Sequence, residues 1–346
     1  MSRIQSIDVI RLAAIVAVIA IHTTPFAGVQ DNRWYLYLGV VINLLARFAV
    51  PFFFVISGYF FAKKLKNSDS VWPPTLDILK RVGLIWLFFS LLYLLPYDVV
   101  AAFNDGSSGL ADQFYQNVMN VVKDPVAFLF QGSKDHLWFL VSLGFAIVIV
   151  ALLVRFCKYY PLIVIGVFSL GLYIFGLLAK AYSETSLGIN IDFNTRNGPF
   201  FSTVFFFMGY AFSYLRITTS YFYYGLLILL AGYLLQFTEM FYLYSVYDVW
   251  PARQDFVVGT ILLGAGISLM ALSNHPWLHS KQLATIGQYT LGIYGMHYVF
   301  VDLLGHLDET LSTPVWELGY VFLVLLLSVG ATLALSRVKP LRRVFV

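Results

Sequence analysis

Apolar residues run through this chain in stretches of about twenty, split by short polar or proline-bearing breaks, a spacing that fits the hydrocarbon core of a bilayer. Runs long enough to span lie at 8–28, 37–61, 82–99, 138–155, 161–180, 199–215, 221–237, 256–273, 283–303 and 316–336, so the pattern predicts ten transmembrane helices. Two boundaries rest on short connections, at 155–161 and 215–221. Pro161 in the first, and Arg216 ahead of Thr218, Thr219 and Ser220 in the second, predict a helix end at each. The longest connection, 100–137, is expected on the outer side; Asp-Gly-Ser-Ser-Gly at 105–109 makes it partly flexible, with a short helix or re-entrant piece near 111–131. No repeat relates the two halves and no separate soluble domain is expected. Residues 1–346 are therefore read as one all-α, polytopic membrane domain.

Composition agrees, with 60% hydrophobic and 12% charged residues and a mean hydropathy of +0.78. The first run lacks a basic leader with a small-residue cleavage site and is expected to be retained as a span. A net charge of +4 would suit nucleic acid in a soluble protein, but in a membrane protein its distribution counts for more, and no nucleic-acid partner is expected. With the amino terminus cytoplasmic, the inward set is Arg3, Arg11, Lys63, Lys64, Lys66, Lys80, Arg81, Arg155, Lys158, Arg216, Lys281, Arg337, Lys339, Arg342 and Arg343, most of the 22 basic residues. The positive-inside rule predicts that asymmetry, and an even number of spans puts both termini in the cytoplasm. The one cysteine, Cys157, excludes an internal disulfide framework and a cysteine-rich metal site.

Polar residues inside the apolar runs carry the candidate chemistry. Arg11 and His22 interrupt the first run; eleven residues at roughly 100° each make three turns plus about 20°, so both lie on one face, about 16 Å apart along the axis. A buried histidine can be a satisfied structural group. Paired with Arg11 it points instead to a polar path, where a neutral imidazole can take a proton from a hydroxyl as general base. In the second run Arg47 enters about 15 Å deep, at a depth His22 can share. Pro51 withholds a donor from the Arg47 carbonyl, which predicts a kink beside a cation that needs an anion or several carbonyls. Ser57 and Gly58 fit close helix packing. The ninth run puts His297 at the level of His22, with Tyr294 and Tyr289 extending its stripe.

His136 and Trp138 open the fourth run from the outside; His136 is a candidate for the mouth of a cavity, Trp138 for that mouth or an interfacial aromatic belt. Glu239 lies near the same mouth or in the solvated interface. Around Arg11 on the inner side, Lys63, Lys64, Lys66, Lys80 and Arg81 express either the ordinary inward bias or a dock for the phosphates of a cytoplasmic cofactor. There is no Walker A or Rossmann fingerprint. No His-Glu-x-x-His spacing or convincing third ligand exists, so no metal is expected.

The segment from Ser6 to His22, with its arginine, ten residues, then histidine, resembles the opening of the acyltransferase family 3 membrane acyltransferases. Arg47-Phe-Ala-Val-Pro-Phe-Phe-Phe-Val-Ile-Ser-Gly-Tyr-Phe60 resembles the second-helix motif of that family, and His136-Leu-Trp-Phe-Leu140 and Thr290-Leu-Gly-Ile-Tyr-Gly-Met-His297 resemble its later signatures in the same order. Ile7 replaces a common leucine and the second helix lacks a Val-Asp-Phe-Phe form, departures that leave the subgroup open.

The resemblance implies an O-acyltransferase of the bacterial inner membrane that moves an acyl group other than aminoacyl, usually acetyl from cytoplasmic acetyl-CoA, to a hydroxyl of a surface polysaccharide or lipid-linked glycan. It implies His22 as catalytic histidine and Arg11 as the essential arginine near the donor. Arg47, His297, His136 and Tyr294 would meet substrate, and Arg11, Lys80 and Arg81 the CoA. Direct transfer and a two-step route through an acyl-histidine both remain open. A carrier built on the same helices is the alternative, its polar stripe then being a binding site midway across the bilayer.

Overall fold

A computed structural model describes residues 4–26, 33–157, 159–311 and 313–345, without the side chains at 101, 308 and 309. Arg3 and Lys158, two of the expected inward charges, and positions 27 and 28 at the end of the first predicted run lie outside the described residues. Every predicted run falls on helix, because away from water only a helix satisfies its own backbone polar groups within one segment. In chain order the helices are α1 Gln5–Thr23, α2 Arg33–Ala46, α3 Ala49–Leu65, α4 Trp72–Leu94, α5 Val99–Lys123, α6 Pro125–Gln131, α7 Trp138–Phe156 and α8 Pro161–Leu178. They continue as α9 Pro199–Phe212, α10 Tyr221–Tyr247, α11 Gly259–Leu272, α12 Lys281–Gly287, α13 Thr290–Leu311, α14 Pro314–Ser336 and α15 Arg342–Phe345. Proline stands in the first turn of α4, α6, α8, α9 and α14, where its missing N–H costs no helical bond.

Among the described residues six stretches are long and apolar enough to cross a membrane: α1, α2 with α3, α7 with the turn before it, α8, α10 and α14; α9 and α11 are shorter apolar helices. The predicted runs at 82–99 and 283–303 lie on α4, α12 and α13, which fall outside that set. Asp77, Lys80 and Arg81 charge α4, α12 is only seven residues long, and Asp302 with His297 and His306 lowers the hydropathy of α13.

Three runs are built differently from the prediction. The second is two helices broken at Arg47–Phe48, where Pro51 cannot donate to the Arg47 carbonyl. The ninth is α12 and α13, parted at Gln288 and Tyr289, with the Thr290 hydroxyl closing the break by donating to the Gly287 carbonyl at 2.6 Å. The long connection at 100–137 holds most of the kinked α5 and the short α6; Gly106, at φ +60°, makes the bend in α5.

α1 is the central element. Some 61% of its span is buried, against 22% for α10 at the periphery, and it touches α2, α3, α11, α12, α13 and α14. Ile7, Ile15 and Ile19 join Phe52, Phe89 and Ile293 in one apolar cluster; Phe54, Trp138, Phe201 and Phe205 form another between α3, α7 and α9. α3 and α9 cross at backbone distance: a Cβ on Gly58 would stand 1.9 Å from the Phe206 carbonyl oxygen, and one on Gly209 1.7 Å from that of Val55. The packing expected of Gly58 is thus met by a second glycine across the crossing.

Candidate active site

His22 occupies the last turn of α1, because Thr24 turns left-handed (φ +42°) and Pro25 cannot continue the helix. The sequence had placed it past the middle of a longer span. Around it the fold gathers His297 from α13 and His136 from the turn before α7, with ring centroids 5.0 Å and 6.3 Å from His22 and 5.0 Å from each other.

Hydrogen bonds fix the tautomers of two of the three. His297 Nδ1 lies 2.6 Å from the Tyr294 carbonyl oxygen, which can only accept, so Nδ1 carries the proton. A neutral His297 then has an unprotonated Nε2, and His22 Nδ1, 3.0 Å away, must donate to it. The lone pair of His22 is left on Nε2. That is the arrangement of a general base held by a second imidazole: a proton gained at Nε2 turns the Nδ1–H···Nε2 contact into a charge-assisted bond.

Two cavities meet at this imidazole. The main cavity, of about 440 Å³, is lined by Arg11, Arg81 and Gln288 at one end and by Arg47, Arg196 and Asp255 at the other, with His22, His136 and Tyr294 on its wall. Arg11 and His22 bound it together, as their shared face predicts, so it follows α1 for about 16 Å. A second cavity, of about 470 Å³, is lined by His22, Thr23, Thr24, Tyr97, Asp98, Gln113, Lys134, Asp302 and His306. Its wall is mainly polar, and the Asp302 carboxylate is held there by Tyr97 Oη at 2.5 Å and Lys134 Nζ at 2.6 Å.

Arg47, released at the helix break, points into a charged cluster. Three of its five N–H groups are used within the chain: Nε on Asn43 Oδ1 at 3.0 Å, Nη1 on the Asp255 carbonyl at 2.8 Å and Nη2 on the Ala252 carbonyl at 2.9 Å. Asp255 faces Arg196 at 3.3 Å, Lys180 at 3.6 Å and Arg47 at 4.0 Å, and Arg196 also pairs with Asp135 at 3.0 Å while lying 4.9 Å over the Trp138 ring. Three cations against two carboxylates leave this end of the cavity electropositive.

The family profile described as "Acyltransferase domain" matches residues 4–336. The chain belongs to acyltransferase family 3. Its apolar helices make it a multi-pass membrane protein of that family. Two proteins of Enterococcus faecalis named "Amino-acid racemase" are also similar: one is 30% identical over 222 residues, 60% of this chain and 29% of the relative. The other is 29% identical over 217 residues, 59% of this chain and 27% of the relative. The chain therefore spans less than a third of the length of the curated relatives it matches. No solved structure matches.

Within this acyltransferase fold most of the residues singled out by sequence converge. Arg11, bridged to Asp8 at 2.9 Å, and Arg81 line one end of the main cavity, whereas Lys80 is exposed and not among the lining residues. Tyr294 lines it too, its hydroxyl donating to the His136 carbonyl. Tyr289 lies in the break between α12 and α13 and lines neither cavity, because the break ends the stripe that an unbroken helix would have carried. Trp138 is buried beneath Arg196 and belongs to no surface belt.

Glu239 is half-buried and lines neither cavity. Its carboxylate accepts from the backbone N–H groups of Val258 and Gly259, at 2.8 and 3.0 Å, at the start of α11, and from Tyr182 Oη. Burial first, and then that carboxylate, push the Tyr182 phenol up, so it donates rather than ionises. Arg196, Asp255, Lys134 and Asp302 were missed by sequence reasoning. The first three sit in connections or turns, where no period marks a side chain as facing inward; Asp302 carried a signal, lying five residues beyond His297 on one helix.

Proposed function

We propose that this chain is a single-domain membrane O-acyltransferase, residues 1–346, that moves an acyl group, acetyl foremost, from cytoplasmic acyl-CoA to a hydroxyl of a surface polysaccharide or lipid-linked glycan on the outer face of a bacterial inner membrane. Ten spans with both termini in the cytoplasm accompany the reading. The observation that carries it is the position of His22 on the wall of both cavities. Arg11 and Arg81 meet the donor's phosphates, the pantetheine arm follows the main cavity along α1, and the acceptor hydroxyl comes through the polar cavity. As the acceptor oxygen attacks the thioester carbon, His22 Nε2 takes its proton; the tetrahedral centre then breaks its C–S bond and His22 returns the proton to the leaving thiolate.

The test is acyl transfer from labelled acetyl-CoA in membrane vesicles that carry the full chain. Label in glycan, lost in His22→Ala, supports the reading; no label in the wild type overturns it.

A second reading is favoured by the names of the two relatives, which speak of amino-acid chemistry. In it the two cavities pass an amino acid across the His22 junction. Uptake of an unmodified amino acid by vesicles without CoA would support that carrier and defeat the transferase.

A further inference from the structure

His136 is the one member of the histidine cluster whose ring nitrogens have no hydrogen-bond partner among the described residues, and the residue is 1% exposed. A neutral imidazole must carry a proton on one of its nitrogens, so the ring holds at least one buried N–H with no oxygen or nitrogen to receive it. Yet the ring is fixed. Tyr298 stacks on its face with centroids 4.6 Å apart, Tyr93 and Tyr294 meet it edge-on at 5.2 Å, and the Tyr294 hydroxyl holds its backbone carbonyl. Aromatic faces are only weak acceptors for an N–H. A donor locked in place, unspent, and on the wall of a cavity beside a general base is built for a ligand that brings its own acceptor.

We propose that His136 donates this N–H to the acyl carbonyl oxygen and stabilises the oxyanion of the tetrahedral intermediate; the proposal rests on the acyl-transfer reading. The 6.3 Å between the His22 and His136 rings suits it. Two oxygens on one carbon, each about 2.9 Å from a ring nitrogen, fit a gap of that order. When the acceptor oxygen bonds to the carbonyl carbon, its proton goes to His22 Nε2 and the carbonyl π pair moves to the oxygen facing His136. When the pair returns, the C–S bond breaks and the thiolate leaves with the proton from His22. Of the neighbouring donors, His297 is bonded at both nitrogens, and three of the five N–H groups of Arg47 hold Asn43 and the 252–255 segment.

The test uses membrane vesicles containing the full chain, with acetyl-CoA and free CoA as probes. His136→Phe keeps a ring for the aromatic box and removes the N–H; turnover should fall about 100-fold or more, the scale of losing one oxyanion donor. CoA affinity should stay within about threefold, and His136→Gln, whose amide can donate, should recover part of the rate. A His136→Phe protein that turns over within threefold of wild type overturns the proposal, as does a loss of turnover matched by an equal loss of CoA affinity. In the wild type, isotope-edited infrared spectra of bound acetyl-CoA labelled at the carbonyl carbon should show the stretch lowered by a hydrogen bond that His136→Phe does not give. An unshifted carbonyl overturns the proposal even if both variants fail to fold. A wild type that binds CoA and releases none from acetyl-CoA fails the acyl-transfer reading itself, a result distinct from an active wild type indifferent to His136.

Discussion

The His22–His297 pair offers the sharpest quantitative test of the site. His297→Phe leaves an apolar ring in a fully buried position and takes away the acceptor for His22 Nδ1. In the resting protein that bond joins two neutral rings; once His22 holds the acceptor's proton it becomes charge-assisted, and bonds of that kind contribute about 1.5–3 kcal/mol. At about 1.36 kcal/mol for each factor of ten, turnover should drop roughly 10- to 150-fold. The loss belongs in kcat, since the bond strengthens only as the proton moves, and the KM for acetyl-CoA should change little.

His297→Gln separates this from packing, because its carbonyl can accept from His22 where phenylalanine cannot. The assay is initial-rate kinetics of CoA release in proteoliposomes, with thermal unfolding of each variant as the folding check. A phenylalanine variant within threefold of wild type, or a glutamine variant no faster than the phenylalanine one, refutes the tautomer assignment and the relay built on it.

Four further outcomes follow from the geometry. Arg11→Ala should raise the KM for the CoA donor, while His22→Ala should abolish transfer and leave CoA binding intact; equal CoA affinity in Arg11→Ala and wild type removes Arg11 from the dock. Asp255→Asn leaves Arg47, Arg196 and Lys180 without their shared carboxylate and should cost about 1–3 kcal/mol, read as an earlier melting transition in detergent. Gly58→Ala drives a methyl into the Phe206 carbonyl and should cost at least about 1–3 kcal/mol, whereas Gly83→Ala, with nothing within 4 Å of its new Cβ, should be neutral or stabilising by up to about 1 kcal/mol. Equal yields of folded protein from those two would contradict the crossing. Glu239→Gln should weaken the start of α11 by about 1 kcal/mol, visible as faster amide exchange at Val258 and Gly259.

What the sequence determined by itself was what depends on neighbours along the chain. Helix geometry fixes the angle between residues eleven apart, so Arg11 and His22 were bound to share a face, and both line one cavity. The scarcity of charge dictated helices in a membrane, and Pro51 marked where the second run would give way. What the tertiary structure decided were meetings between distant segments. His22 and His297, 275 positions apart, could be assigned a similar depth from their offsets, but only packing could turn equal depth into a hydrogen bond and so choose which nitrogen of His22 is basic. The ring of Arg196, Asp255 and Asp135 was beyond reach for the same reason. Connecting segments have no repeat that aims a side chain, and their path is set by the helices they join and the charges they must bury together.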